Sequence, residues 1–170
     1  MIATRVRGLG FLFGIAFAAT LFANFSLAET LLGEIVGISD GDTITVLDAD
    51  SKTHKIRLAG IDAPEKGQPF GQNSKESLSN LAYRQRVQIE WGKTDRYGRI
   101  VGKVIVGGQD ACLEQVRQGM AWHYKKYENE QPLEDRLAYA KAEQAAREMK
   151  LGLWSEKGPV SPWDWRKARR

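Results

Sequence analysis

Residues 35–65 constrain the fold more than any other part of the chain. Residues 35–39 and 43–47 are short β-branched runs, separated by Ser39-Asp40-Gly41-Asp42. Asp-Gly between two such runs is a strong hairpin signal, because these residues tolerate the backbone that a tight turn needs. Residues 54–59 alternate, with Ile56 and Leu58 on one face and Lys55 and Arg57 on the other. A period of two describes a strand with one face buried. Ile61-Asp62-Ala63-Pro64-Glu65 follows, and Pro64, which has no N–H to give a sheet, ends the strand.

Downstream, residues 73–83 predict a short helix, with Asn73 as its cap and Glu76 at capping-box spacing. Residues 87–91 and 100–106 predict a fourth and a fifth strand, joined by a turn through Lys93-Thr94-Asp95-Arg96-Tyr97-Gly98-Arg99. Residues 111–118 predict a helix stopped by Gly119. Residues 132–150 predict the longest helix, stopped by Gly152, with an apolar stripe of Leu133, Leu137, Ala140, Gln144, Ala145 and Met149. Three strands, a helix, two strands and further helices make a mainly β, α+β chain. That order is the arrangement of a five-stranded OB-fold Greek-key barrel with three helices, a fold that often binds oligonucleotides across one face. Residues 29–160 would form this domain, and residues 161–170 a basic tail whose bland reading is a solvated, frayed end.

The N-terminus reads separately. Arg5 and Arg7 precede an apolar run over residues 9–25, and Ser26-Leu27-Ala28 then offers small residues for cleavage. That is the pattern of an export signal over residues 1–28, with the product periplasmic or secreted. The alternative is an uncleaved membrane anchor, since the run approaches spanning length. The formal net charge of +4 suits a polyanionic partner without proving one. With Cys112 as the single cysteine, an intrachain disulfide is excluded. Its place in Ala111-Cys112-Leu113 suits a buried structural thiol, and no CxxC or paired-histidine zinc spacing occurs.

Hydrolysis of a phosphodiester makes three demands: a cation on the phosphate, an oriented or deprotonated water, and stabilisation of charge developing on the phosphorus oxygens. Arginine suits the last, because its planar fork matches two phosphate oxygens and stays protonated. Asp42, Asp62, Glu65, Arg57 and Arg99 all lie at turns or on the third strand and its end. Carboxylates with a backbone carbonyl form a hard-oxygen site for Ca²⁺ or Mg²⁺. Each residue also has a dull reading: Asp42 as a turn former, Asp62 as a brace before Pro64, Glu65 as a solvated acid, and the arginines as strand-edge charges. Spacing alone does not make them converge.

Taken together, the segments resemble the staphylococcal nuclease (thermonuclease) family. The matching pieces are Asp40-Gly41-Asp42-Thr43, Ile56-Arg57-Leu58, Ile61-Asp62-Ala63-Pro64-Glu65, Thr94-Asp95-Arg96-Tyr97-Gly98-Arg99, Val116-Arg117-Gln118-Gly119 and Leu151-Gly152-Leu153-Trp154-Ser155. Their order and approximate spacing hold over residues 32–154. The resemblance implies that Asp42, Asp62 and the Ala63 carbonyl would ligate Ca²⁺, with Mg²⁺ the lesser alternative. Ala63 departs from the threonine common in the family, which a carbonyl ligand tolerates. Glu65 would hold or deprotonate the attacking water, and Arg57 and Arg99 would grip the scissile phosphate. The implied reaction breaks the phosphorus–5′-oxygen bond of DNA or RNA, single strands preferred, and leaves 3′-phosphates.

Tyr97 matches a tyrosine that touches the nucleotide, and a tyrosine packed at the turn is the alternative. Trp122-His123-Tyr124-Lys125-Lys126-Tyr127 departs from the familiar tyrosine spacing, so Tyr124 or Tyr127 could face substrate, or both could be core. His123 reads as structural or exposed, and Trp163 and Trp165 as part of a packed tail. A monomer with no obligate protein partner is expected. The competing functions are a noncatalytic OB-fold module that binds nucleic acid, and an exported structural or protein-binding domain. Retention of three acids and two arginines favours the enzyme.

Overall fold

The computed structural model describes residues 29–169. The expected export signal lies outside the described residues. Ten residues, Glu29–Ile38, form β1, which the sequence placed only over its second half. The hairpin follows as expected, with β2 at Thr43–Asp48 and β3 at Thr53–Leu58. A two-residue strand, β4 at Ile61–Asp62, precedes helix α1 at Gly71–Ala82. Strands β5 at Arg86–Thr94 and β6 at Ile100–Val106 complete the sheet, and β7 at Gln109–Asp110 adds a short edge.

These strands close into a five-stranded barrel of the OB type. The order β3-β2-β1-β5-β6 is antiparallel throughout, and a parallel pairing of β3 with β6 shuts it, Ile56 opposite Ile100 and Leu58 opposite Gly102. Alternation explains the filling: Ile44 and Val46 of β2, Ile56 and Leu58 of β3, Val87 and Ile89 of β5 and Val104 of β6 are all buried. Arg57, between Ile56 and Leu58, therefore points away from that core. Cys112 lies in the same buried cluster, as expected of a structural thiol.

Helix α2 spans Ala111–Arg117 and is capped by Asp110, whose carboxylate accepts from the Cys112 and Leu113 N–H groups. Strand β8 at Trp122–His123 pairs with β4, and helix α3 follows at Leu133–Glu148. Two of its features correct the sequence reading. Leu133, Leu137 and Met149 of the expected apolar stripe are exposed, and the buried face is Tyr139, Ala142, Glu143 and Ala146. Partners make that possible: Tyr139 Oη donates to Asp110 at 2.7 Å, and Glu143 accepts from the His123 N–H and pairs with Lys125.

Helix α1 likewise starts two residues before the expected Asn73 cap. Phe70, at φ 64°, is the cap residue and makes no side-chain capping bond, while Glu76 accepts from Gln72 instead. The start is set by tertiary packing. A Cβ on Gly71 would overlap the Glu65 carbonyl, and one on Gly41 would overlap the Ser74 hydroxyl. These two close approaches hold the helix start against the Asp42 turn and the loop after β4.

The tail differs most from expectation. Residues 161–169 are not a frayed end: Pro162–Ala168 form a fourth helix, α4. Ser161 caps it by accepting from the Asp164 N–H, with proline at the first helical position. The Gln68 amide donates to the Val160 carbonyl at 2.7 Å and ties the approach to α4 to the loop after β4. Among the described residues, no helix is long and apolar enough to cross a membrane.

Candidate active site

The hairpin turn presents Asp42 and β3 presents Arg57 one register position away, since Thr43 lies opposite Arg57. Asp62 comes from β4. Arg57 joins them: Nη1 lies 3.0 Å from Asp42 Oδ2, and Nη2 lies 2.8 Å from Asp62 Oδ1. Both acids are buried, Asp42 at 6% exposure and Asp62 at 1%. Asp42 also accepts from the Ala63 N–H at 2.6 Å and from the Thr43 hydroxyl at 3.1 Å. Burial pushes the Asp42 carboxyl up to about 7, against the pull of Arg57 and with further push from Asp40 and Asp62. Arg57 is thus shared between two buried carboxyl groups.

Two buried carboxyl groups side by side fit a bound cation. Among the described residues, no three His, Cys, Asp or Glu side chains cluster tightly enough to enclose an ion alone. A cation on Asp42 and Asp62 would need a carbonyl, such as that of Ala63, and water for its remaining ligands. Hard divalent ions such as Ca²⁺ and Mg²⁺ accept that oxygen set. Glu65 stands at the rim, its side chain 40% exposed, with its backbone N–H donating to Gln68. Arg99 reaches the same edge: its Nη1 lies 3.4 Å from the Thr43 hydroxyl, which itself donates to Asp42. Asp95 orients Arg99, accepting from Nε at 2.8 Å and from the backbone N–H at 3.0 Å. Partial burial opposes ionisation of Asp95, but the Arg99 and Tyr97 bonds outweigh it and hold that carboxyl below its usual value.

The aromatic candidates separate. Tyr97 is 67% exposed, with the Arg96 and Arg99 guanidinium groups over its ring. Tyr124 is half-buried, close enough to Asp62, Arg57 and Arg166 to feel their charges, and stacked on Trp163 at 5.4 Å. Tyr127 is further out, edge-on to Tyr124, with Lys93 and Lys126 over its ring. Trp122, Tyr124 and Trp163 line an open cleft of about 420 Å³ together with Lys125, Lys126 and Lys167. His123 is buried, with Nε2 2.9 Å from Gln131 Oε1.

One site residue was missed from sequence. Arg166 of α4 reaches Asp62 with both Nη atoms and Glu65 with one, at 2.5–3.2 Å. Ser161-Pro162 followed by Asp164 is a helix-start signal and would have located α4. Nothing local points to an acid 104 residues away.

The family model described as staphylococcal nuclease homologue matches residues 55–156. The chain belongs to the staphylococcal nuclease family. It is 43% identical over 136 residues to an uncharacterized endonuclease of Haemophilus influenzae, covering 80% of this chain and 73% of that one. It is 39% identical over 165 residues to a micrococcal nuclease of Shigella flexneri, covering 92% of each. Against the staphylococcal-like nuclease CAN1 of Arabidopsis thaliana it is 35% identical over 120 residues, 71% of this chain and 35% of that one. Within this staphylococcal nuclease family chain, Arg57, Asp62, Ala63, Glu65, Tyr97, Arg99, Tyr124 and Tyr127 all fall inside the matched region, whereas Asp42 and Arg166 flank it.

The charge state of Asp42 gives a stability test. The folded metal-free protein keeps a proton on Asp42 to about pH 7, while the unfolded chain releases it near the ordinary value of 3.8. The resulting stabilisation is full below the unfolded value and is lost as pH rises through the folded one. Asp42→Asn, neutral at every pH, should melt roughly 5 °C higher than the parent at pH 8 without metal. The two should converge towards pH 4. Thermal melts in chelator across that range check this, and a variant less stable than the parent at pH 8 would contradict it.

Proposed function

We propose that this chain is a metal-dependent nuclease that hydrolyses phosphodiesters of DNA and RNA, with Ca²⁺ as its resident cation. The observation that carries the proposal is the Arg57 bridge between two buried aspartates, with Glu65 and Arg99 at the same rim. Membership of a family whose relatives are named nucleases supports it. The cation, held by Asp42, Asp62 and the Ala63 carbonyl, would screen the phosphate and favour attack by water.

The chain's own residues do the rest. Arg57 and Arg99 keep their charge and can direct the N–H groups left over from their carboxylate pairs to phosphate oxygens as negative charge develops there. Glu65, the most exposed of the three acids, takes the proton of the attacking water. The water oxygen bonds to phosphorus, the bond to the 5′-oxygen breaks, and that oxygen leaves as the alcohol after gaining a proton from solvent. The 3′-side keeps the phosphate. Tyr97, Tyr124 and Tyr127, with the lysines near the 420 Å³ cleft, offer stacking faces and positive charge to an unpaired strand. That favours single strands. We read residues 1–28 as an export signal, which would place the enzyme outside the cytoplasm.

The test is cleavage of single-stranded DNA and RNA by the purified protein with Ca²⁺, with Mg²⁺ and with chelator. Ca²⁺-dependent cutting that leaves 3′-phosphates supports the proposal. A folded protein that binds the strand and cuts it under no metal would instead be a noncatalytic OB-fold module. Arg99→Ala should lower turnover about 10²–10³-fold while costing about 1 kcal/mol or less in stability, because its pair with Asp95 is partly exposed. Near-normal turnover in that variant would remove Arg99 from the transition state.

A further inference from the structure

Asp62, one of the acids that would hold a cation, already holds a cationic group of the chain's own. Arg166 Nη2 lies 2.7 Å from Asp62 Oδ2, Nη1 lies 3.2 Å from Asp62 Oδ1, and Nη1 also bonds Glu65 Oε1 at 2.5 Å. Asp62 Oδ1 additionally accepts from Arg57. Both oxygens of Asp62 are therefore engaged by guanidinium groups. Ca²⁺ needs a carboxylate oxygen at about 2.3–2.6 Å, closer than the Arg166 nitrogens now stand to both oxygens of Asp62, so ion and guanidinium compete for the same carboxylate.

The contact is not a stray surface side chain. Its helix is built and docked by several independent features: the Ser161 cap, Pro162 buried at the first turn, and the Gln68–Val160 bond. Trp163 adds a stack on Tyr124 and an edge contact with Trp122. Trp163 and Arg166 are three residues apart and so share one face of α4. Packing of the tryptophan sets the arginine over the acids. Glu65, Lys66, Gly67, Trp165, Arg166 and Arg169 line the open cleft of about 390 Å³ beside it. Charge agrees with geometry, since Arg166 is the ion-pair partner of Glu65 and the second guanidinium on Asp62, whose other one, Arg57, is shared with Asp42.

We propose that Arg166 is a blocking residue that occupies the cation's place on Asp62 while tying up Glu65, so that metal binding must displace it and α4 sets the metal affinity of the site. The inference rests on the metal-site reading above. A site blocked most of the time binds with its intrinsic affinity reduced by the open fraction. Displacement frees Glu65 as well, so that the same event that loads the cation releases the acid assigned to the water.

The test is Ca²⁺ titration calorimetry on the parent, on Arg166→Gln and on Lys167→Gln. Lys167 is an exposed neighbour whose partner is Asp164. Arg166→Gln should bind Ca²⁺ about 10-fold or more tightly than the parent, with Lys167→Gln unchanged. Hydrogen exchange of the parent gives a second reading: amides of residues 163–168 should exchange faster once Ca²⁺ is added. Equal or weaker Ca²⁺ binding by Arg166→Gln overturns the proposal, and weaker binding would mean that Arg166 prepares the acids for the ion. Unchanged exchange on Ca²⁺ binding also overturns it, since guanidinium and cation would then share the site. Absence of Ca²⁺ binding by parent and variant alike defeats the metal-site reading, and this inference with it, whereas equal binding by both defeats this inference alone.

Discussion

Arg57→Ala is expected to destabilise the metal-free protein by about 3–5 kcal/mol at pH 8, the cost of removing one partner from a buried ion pair. The guanidinium is 15% exposed and is the group that joins Asp42 to Asp62. Without it, Asp42 keeps only the Ala63 N–H and the Thr43 hydroxyl. Neither carries a full positive charge. Asp62 keeps Arg166, so its loss is partial. The melting temperature should fall by roughly 10–15 °C. The deficit should shrink towards pH 5, because the Asp42 carboxyl, already raised to about 7, rises further and neutralises itself. Added Ca²⁺ should restore part of the loss if Asp42 and Asp62 hold it, by the mass action of a ligand that binds only the folded state. Cleavage should stay low even then, because Arg57 is also assigned to the phosphate. A melting temperature within about 3 °C of the parent at pH 8 would show that the acids do not depend on Arg57.

The barrel was legible because its code is local. Ile56 and Leu58 alternate with Lys55 and Arg57, and one missed position would have turned that face outward. The same alternation put Arg57 outside the barrel, and the Asp-Gly turn put Asp42 at the end of the neighbouring strand. What failed was whatever tertiary partners decide. The buried face of α3 includes Glu143 and Tyr139, which read as polar until the His123 N–H, Lys125 and Asp110 are seen beside them. The start of α1 follows from backbone contact between Gly71 and Glu65, not from the Asn73 side chain that a capping rule selects. Arg166 looked like one of several charges in a basic tail. Its role depends on an ion pair spanning most of the domain, and no periodicity encodes such a contact.

Glu65→Gln is expected to lower turnover by about 10²–10⁴-fold, the range for loss of a positioned general base, with little effect on the fold. The substitution keeps the length of the side chain and an oxygen that can still accept from Arg166. The Gln68 contact is made through the Glu65 backbone N–H, so it survives. At 40% exposure the side chain supports little packing, and the melting temperature should move by only about 2–3 °C. Asp42 and Asp62 are untouched, so Ca²⁺ affinity should not fall, and the weaker hold on Arg166 should raise it if Arg166 blocks the site. Glu65→Asp gives the discriminating comparison. It keeps a carboxylate but withdraws it by one methylene, so it can take a proton from a misplaced water and should retain more activity than Gln. Turnover in Glu65→Gln equal to that in Glu65→Asp would mean that charge at this position does not matter and that the base lies elsewhere. Turnover near the parent's in both would leave Glu65 as the anchor of Arg166 and nothing more. A large loss in Gln with partial retention in Asp, with Ca²⁺ affinity undiminished, requires a proton acceptor at this place.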